Sequence, residues 1–109
     1  MTVENKTNDY IIQTEDFGIK ILTMNNAAAK TFTMPTLTAS EIGKSMTIVK
    51  IGTGKVTLAL VDLQVIADSG IQGTIYNEQA DETYATLVFM VLSTSKLVIV
   101  GAHGTWTTT

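Results

Sequence analysis

The sequence predicts an all-β chain: a small antiparallel β-sandwich or jelly-roll-like barrel that carries short helical turns. Three observations lead there. Thr makes up about one residue in six, and Val and Ile are frequent; such β-branched side chains suit a pleated, half-buried surface better than a helix. Short apolar runs recur between Gly, Asn and Ser turn signals. At 109 residues, 45% hydrophobic and 16% charged, the chain is one domain, too apolar to be disordered and less charged than the roughly 25% of an average globular domain.

The elements follow in order. Residues 20–24 and 30–34 read as short strands, with Asn25-Asn26 marking a turn and Pro35 ending the second, since proline cannot donate to a ladder. Residues 45–51 and 55–60, joined by Gly52-Thr53-Gly54, carry the signature of a β-hairpin whose glycines supply positive φ. In the irregular stretch 62–73, Val65-Ile66 reads as a short strand and Asp68-Ser69-Gly70 as a turn. Thr74-Ile75-Tyr76 adds a strand. A long pair closes the series, 83–92 and 96–100 around the turn Ser93-Thr94-Ser95. Segment 101–109 has no periodicity; it and segment 1–8 are expected to be flexible or contact-making arms of a single module spanning 1–109.

A weak repeat punctuates these strands. Thr14-Glu15-Asp16-Phe17-Gly18 precedes one and Ala39-Ser40-Glu41-Ile42-Gly43 another. Each reads as a single helical turn closed by Gly, its apolar residue plugging an end of the core.

Residues 87–92 do not alternate. A strand apolar on both sides needs cover on both faces; in so short a chain the second cover is expected from a symmetry mate, the alternative being a central strand between two sheets. Leu87, Phe89, Met90, Val91, Leu97 and Ile99 are therefore the candidates for core or oligomer interface.

Composition narrows the function. The formal net charge is −3, from seven Lys, no Arg and ten acidic residues, with the Lys scattered, which argues against nucleic acid as a partner. The absence of Cys removes disulfides, thiolate nucleophiles and thiolate metal sites. No signal peptide is visible at the start, and no apolar run approaches the ~20 residues that span a bilayer. The expectation is a soluble protein made in a cytoplasm, without membrane insertion.

Catalytic signals are weak. His103 is the only His, set in a Gly-flanked tail where a base is hard to hold in place. Glu15/Asp16 and Asp81/Glu82 are adjacent carboxylates on turns, which usually cap or face solvent. Gly52-Thr53-Gly54-Lys55 lacks the first Gly and the Ser/Thr of a phosphate loop, and Gly101-Ala102-His103-Gly104 opens no helix. No catalytic residue, metal or cofactor is expected. Tyr76 and Trp106 are the candidate contact aromatics for a glycan or protein; Tyr84 is expected to start a strand and pack.

Lys30-Thr31-Phe32-Thr33-Met34-Pro35, then Ile42-Gly43-Lys44-Ser45-Met46-Thr47-Ile48, then Gly52-Thr53-Gly54-Lys55-Val56-Thr57-Leu58, followed by Tyr84-Ala85-Thr86-Leu87-Val88 and the closing strand 96–100, resembles a β-rich module of bacteriophage tail-fibre and other virion surface proteins. The resemblance runs from about residue 14 to residue 100. Related modules often carry Trp in the closing strand, where this chain has Leu97. The resemblance implies a non-enzymatic virion protein on the particle exterior, made in the bacterial host cytoplasm. It implies a homotrimer, a tail-fibre-like or appendage subunit whose partners are itself, other capsid or tail proteins and a host surface glycan or protein. The alternatives are a capsid decoration protein stabilising the head, or a receptor-binding module.

Overall fold

The computed structural model describes residues 2–67, 70 and 73–109. Two sheets pack face to face. One has six strands in the order β1 (Thr2–Lys6), β3 (Lys20–Met24), β5 (Ser45–Lys50), β9 (Ala85–Ser93), β10 (Lys96–His103) and β7 (Val65–Ile66). The other has five, in the order β11 (Thr107–Thr108), β8 (Thr74–Asn77), β6 (Val56–Ala59), β4 (Lys30–Thr33) and β2 (Tyr10–Ile11). The chain is an all-β sandwich.

It is not an antiparallel one throughout. The pairs β1/β3, β3/β5, β2/β4 and β4/β6 are all parallel. The first half of the chain is therefore a stack of coils, each giving one strand to either sheet. Ile21 lies beside Thr47 and Lys30 beside Val56, a repeat of 26 residues in both sheets. The first coil is shorter, with Thr2 beside Lys20 and Tyr10 beside Phe32. The second half is mostly antiparallel: the hairpin β9–β10 lies against β5, and β8 lies against β6, while β7 pairs with β10 in parallel.

This corrects the expected hairpin around Gly52-Thr53-Gly54. β5 and β6 belong to different sheets, and the three residues form an arch between them. The glycines serve close approach rather than positive φ. The Gly54 N–H donates to the Asn26 carbonyl (2.9 Å) and the Gly52 N–H to that of Met24 (3.2 Å), so each arch sits on the one before. The Asn26 side chain extends the stack downward, its Nδ2 donating to the Thr7 carbonyl at 2.7 Å. A Cβ on Gly54 would stand 2.2 Å from the Ala28 oxygen, and one on Gly52 2.5 Å from Asn26 backbone atoms. No side chain fits there.

At the other end of each coil the chain returns through a tight turn, and the repeat seen in the sequence is real at this level. The 3₁₀ turns Thr14–Asp16 and Ala39–Glu41 each end in a Gly of positive φ, Gly18 at 81° and Gly43 at 87°. In each, a buried side chain accepts the N–H of the residue three positions earlier: Asp16 from Gln13 (2.9 Å) and Glu41 from Thr38 (2.8 Å). A third copy follows that the acidic pattern does not reveal, where Gln64 accepts from Val61 at 3.2 Å. Its Nε2 then donates to the Pro35 carbonyl at 2.8 Å, tying the third turn to the second coil. Phe17 plugs the core and meets Phe89 edge-to-face at 6.2 Å. Ile42, expected to do the same, is 47% exposed.

The segments expected as arms carry strands. Residues 2–6 form the edge strand β1, and 101–109 complete β10 and supply β11, where Thr109 exchanges backbone hydrogen bonds with Thr74 (2.8 and 2.9 Å). Val65-Ile66 and Thr74-Ile75-Tyr76 are strands as read. Most of the expected turn at 68–70 lies outside the described residues.

The stacked arches make a sharp prediction. Gly54→Ala should cost about 1–3 kcal/mol or more through backbone overpacking, read as a lower urea midpoint. Gly101→Ala, whose Cβ would meet nothing within 4 Å, should stay within about 0.5 kcal/mol of the parent. Equal midpoints for the two variants would refute the stacking.

Candidate assembly surface and its capped edge

In β9 the pleat sends Leu87, Phe89 and Val91 into the core, each fully buried. Val88, Met90 and Leu92 point the other way, half-buried or exposed. Paired residues share a face, so the registers extend this outer surface across the sheet. Val88 lies beside Thr47, Ile21 and Val3 in one row. Met90 stands between Ser45 and Val98 in the next. On the other side Thr86 leads to Val49, Thr23 and Asn5. None of these residues is Lys, Asp or Glu. A bulge at Val100, between Ile99 and Gly101, turns that residue outward as well.

The outer face of the five-stranded sheet differs. Its rows are Thr31, Thr57, Tyr76 and Thr107, and Ile11, Thr33, Ala59 and Thr74. Threonine hydroxyls dominate, and the Lys55 ammonium sits 4.2 Å from the Tyr76 ring centroid.

The free edge of the coil stack carries a half-buried ionic cluster around one fully buried carboxylate. Glu4 and Lys6 of β1 point inward, in register with the core residues Leu22 and Met24. Lys20 bridges Glu4 (3.0 Å) and the fully buried Asp16 (2.8 Å), while Glu4 also holds Lys6 (3.1 Å). The Tyr10 hydroxyl donates to Asp16 at 2.8 Å, and the Lys6 ammonium lies 3.9 Å from the Tyr10 ring centroid. Burial alone would raise the Asp16 pKa; the Lys20 ammonium, the Gln13 N–H and the Tyr10 hydroxyl outweigh it and hold the carboxyl below its ordinary value. Lys20 and Lys6 likewise lower Glu4, and burial with the Asp16 charge pushes Tyr10 up to about 12. Here the first coil, at the free end of the stack, carries inward-pointing charge where a further coil would need apolar contact, a known way of blunting a sheet edge.

A second polar centre ties the C-terminal part to the arches. Lys50 is fully buried and donates to the carbonyls of Gln79 (2.8 Å), Gly52 (3.0 Å) and Glu82 (3.4 Å). Burial lowers its pKa against the opposing pull of Glu82 and Asp81. The Glu82 carboxylate accepts from the Thr105 N–H (2.7 Å), the Thr105 hydroxyl (2.8 Å) and Asn77 (2.9 Å), which lowers its own pKa and fastens the chain after β10.

The candidates named from the sequence fall as follows. Leu87, Phe89, Val91 and Leu97 are fully buried core, and Ile99 packs half-buried against it. Met90, grouped with them, instead faces outward because it has the opposite parity. Tyr76 is on the outer face of the five-stranded sheet. Trp106 packs against the core, its Nε1 donating to the His103 carbonyl at 3.1 Å. The two aromatics therefore make no common platform. Tyr84, expected to pack, is 65% exposed with φ at 66°. His103 is exposed in β10, and Glu15 is exposed beside buried Asp16. Among the described residues no three His, Asp or Glu side chains gather as metal ligands would, and no helix is long and apolar enough to cross a membrane.

The cluster predicts an acid transition. Asp16 and Glu4 titrate lower in the folded protein than their ordinary 3.8 and 4.5, so in that range the unfolded chain binds more protons. Their stabilisation is complete above those ordinary values and is lost as pH falls through the folded ones. Lys20→Met removes the counter-ion of a buried carboxylate and should move the acid midpoint, followed by circular dichroism, to higher pH; an unchanged midpoint would contradict the assignment. Tyr10, raised to about 12, adds stability below pH 10 that is lost toward 12, with its phenolate absorbance emerging in that upper range. In sequence comparisons, the chain matches no known family model and no curated protein.

Proposed function

We propose that this chain is a non-enzymatic structural subunit of a bacteriophage virion, an exterior, homotrimeric, tail-fibre-like or appendage protein. The observation that carries the reading is the apolar outer side of β9: its own chain leaves Val88 and Met90 half-buried and Leu92 exposed, in a strand whose inner side is already filled by the core. Contiguous apolar surface of this kind marks an interaction site on a small protein. The motif order that resembles virion surface modules supplies the setting, and the Thr-lined face of the other sheet suits the outside of a particle.

The mechanism of such a subunit is mechanical. Association buries apolar area worth roughly 25 cal/mol per Å² before ordering and association costs, and the hydrogen-bonded coils transmit load along their ladders. Sedimentation velocity on the purified chain should give a stable trimer at micromolar concentration, and an antibody to the chain should label purified particles. A monomer that is absent from particles would overturn the proposal.

A further inference from the structure

We infer that copies of this chain meet through the outer face of the six-stranded sheet, face against face around a common axis, and not by joining strand edges. The inference rests on the homo-oligomeric reading above and names its contact surface.

Three features select this face and this occupant. Its centre carries no formal charge and is largely apolar, with Ile21, Val88, Met90 and Val98 set around the hydroxyls of Thr47 and Ser45, and Val3 63% and Leu92 45% exposed at its margins. A surface without formal charge can meet its own copy with no like-charge repulsion, whereas a partner of opposite charge would find nothing to pair with. Polar Asn5 and exposed Lys96 and His103 lie toward its rim, the arrangement of a desolvated centre with a wet border.

Size is the second feature. Five of its strands, at about 4.8 Å spacing with five or six residues of about 3.3 Å each, give a face of roughly 400 Å² in projection, to which the two-residue β7 adds little. Side-chain relief brings the accessible area toward the ~800 Å² per partner of a stable interface.

The third is that the competing routes are closed. Strand addition would use the free edges, of which β2, β7 and β11 are two residues long. The one long edge, β1, has Glu4 and Lys6 turned inward and engaged with Lys20 and Tyr10. A second chain adding there would face charge where it needs apolar contact. The opposite sheet's outer face offers hydroxyls and a Lys over Tyr76.

The test uses the full chain and native mass spectrometry, with circular dichroism to verify folding. Met90→Lys and Val88→Lys should weaken association about 100-fold or more and yield folded monomers. Thr57→Lys, on the other sheet, should keep the parent stoichiometry. Should either lysine variant fail to fold, Met90→Gln gives a milder probe and should still raise the dissociation constant. If the parent is oligomeric and the Met90 and Val88 variants keep its stoichiometry and affinity, this surface is wrong while the homo-oligomeric reading stands. If Thr57→Lys dissociates the protein and Met90→Lys does not, the opposite sheet is the interface and the inference is overturned. A monomeric parent overturns the oligomeric reading itself, and the inference with it.

Discussion

Strands that stack in parallel at about 4.8 Å force the connections between them to stack as well, so a coil of this kind stands or falls on whether its corners can be superposed. Here the corner of the third coil lies on that of the second with Gly54 and Gly52 against the backbone of Ala28 and Asn26, a contact closed by the Gly54 N–H on the Asn26 carbonyl. The opposite corners solve the same problem with a buried polar side chain. Asp16, Glu41 and Gln64 each satisfy a backbone N–H that the turn would otherwise leave orphaned, and a buried unpaired donor costs about 1–3 kcal/mol. With both ends of every coil fixed, the side chains between them have no choice of register. The inward rows then fill the core and the outward rows define the two surfaces.

A stack must also stop. The coils that continue present Leu22, Met24, Ile48 and Phe32 inward, all nearly or fully buried. The first coil presents Glu4, Lys6 and Tyr10 at the equivalent positions. The change from apolar to ionic along one row converts a growing end into a terminal one. It also gives the two kinds of surface different chemistry: the edge is charged and internally paired, while the centre of the broad face of the six-stranded sheet is uncharged.

Much of this was legible in the sequence, in a patterned way. The β9–β10 hairpin could be read because its two strands are neighbours in the chain and its turn is local. The corner repeat at 14–18 and 39–43 was visible because acid, apolar residue and Gly recur in order; its third copy was not, since Gln64 replaces the acid and no Gly follows. The parallel pairing escaped because the partner of Ile21 is Thr47, and two apolar runs joined by Gly-Thr-Gly fit a hairpin and an arch equally well. β1 escaped because its inward residues are charged, which reverses the usual alternation. For Met90 the choice between core and interface stayed open for want of parity: residues 87–92 are apolar throughout, and only the register with β5 says which of them face in. Tyr84 was misjudged because the chain enters β9 from a left-handed residue that swings its ring outward.

The position of β7 has a consequence for how the chain reaches this fold. Val65-Ile66 is the strand that would follow β5 in the stack, yet two strands separate it from β5 and it pairs with β10. The interval is filled by a hairpin that comes some twenty to forty residues later in the chain. The three coils can assemble from contacts within a moving window, but β7 has no partner until β9 and β10 have zipped onto β5. The topology thus makes the pairing of β7 depend on insertion of the β9–β10 hairpin, the contact with the larger loop-closure cost. Until it happens, β5 is an open edge in the middle of the eventual sheet. The hairpin acts as a wedge that converts a progressive stack into one cooperative unit.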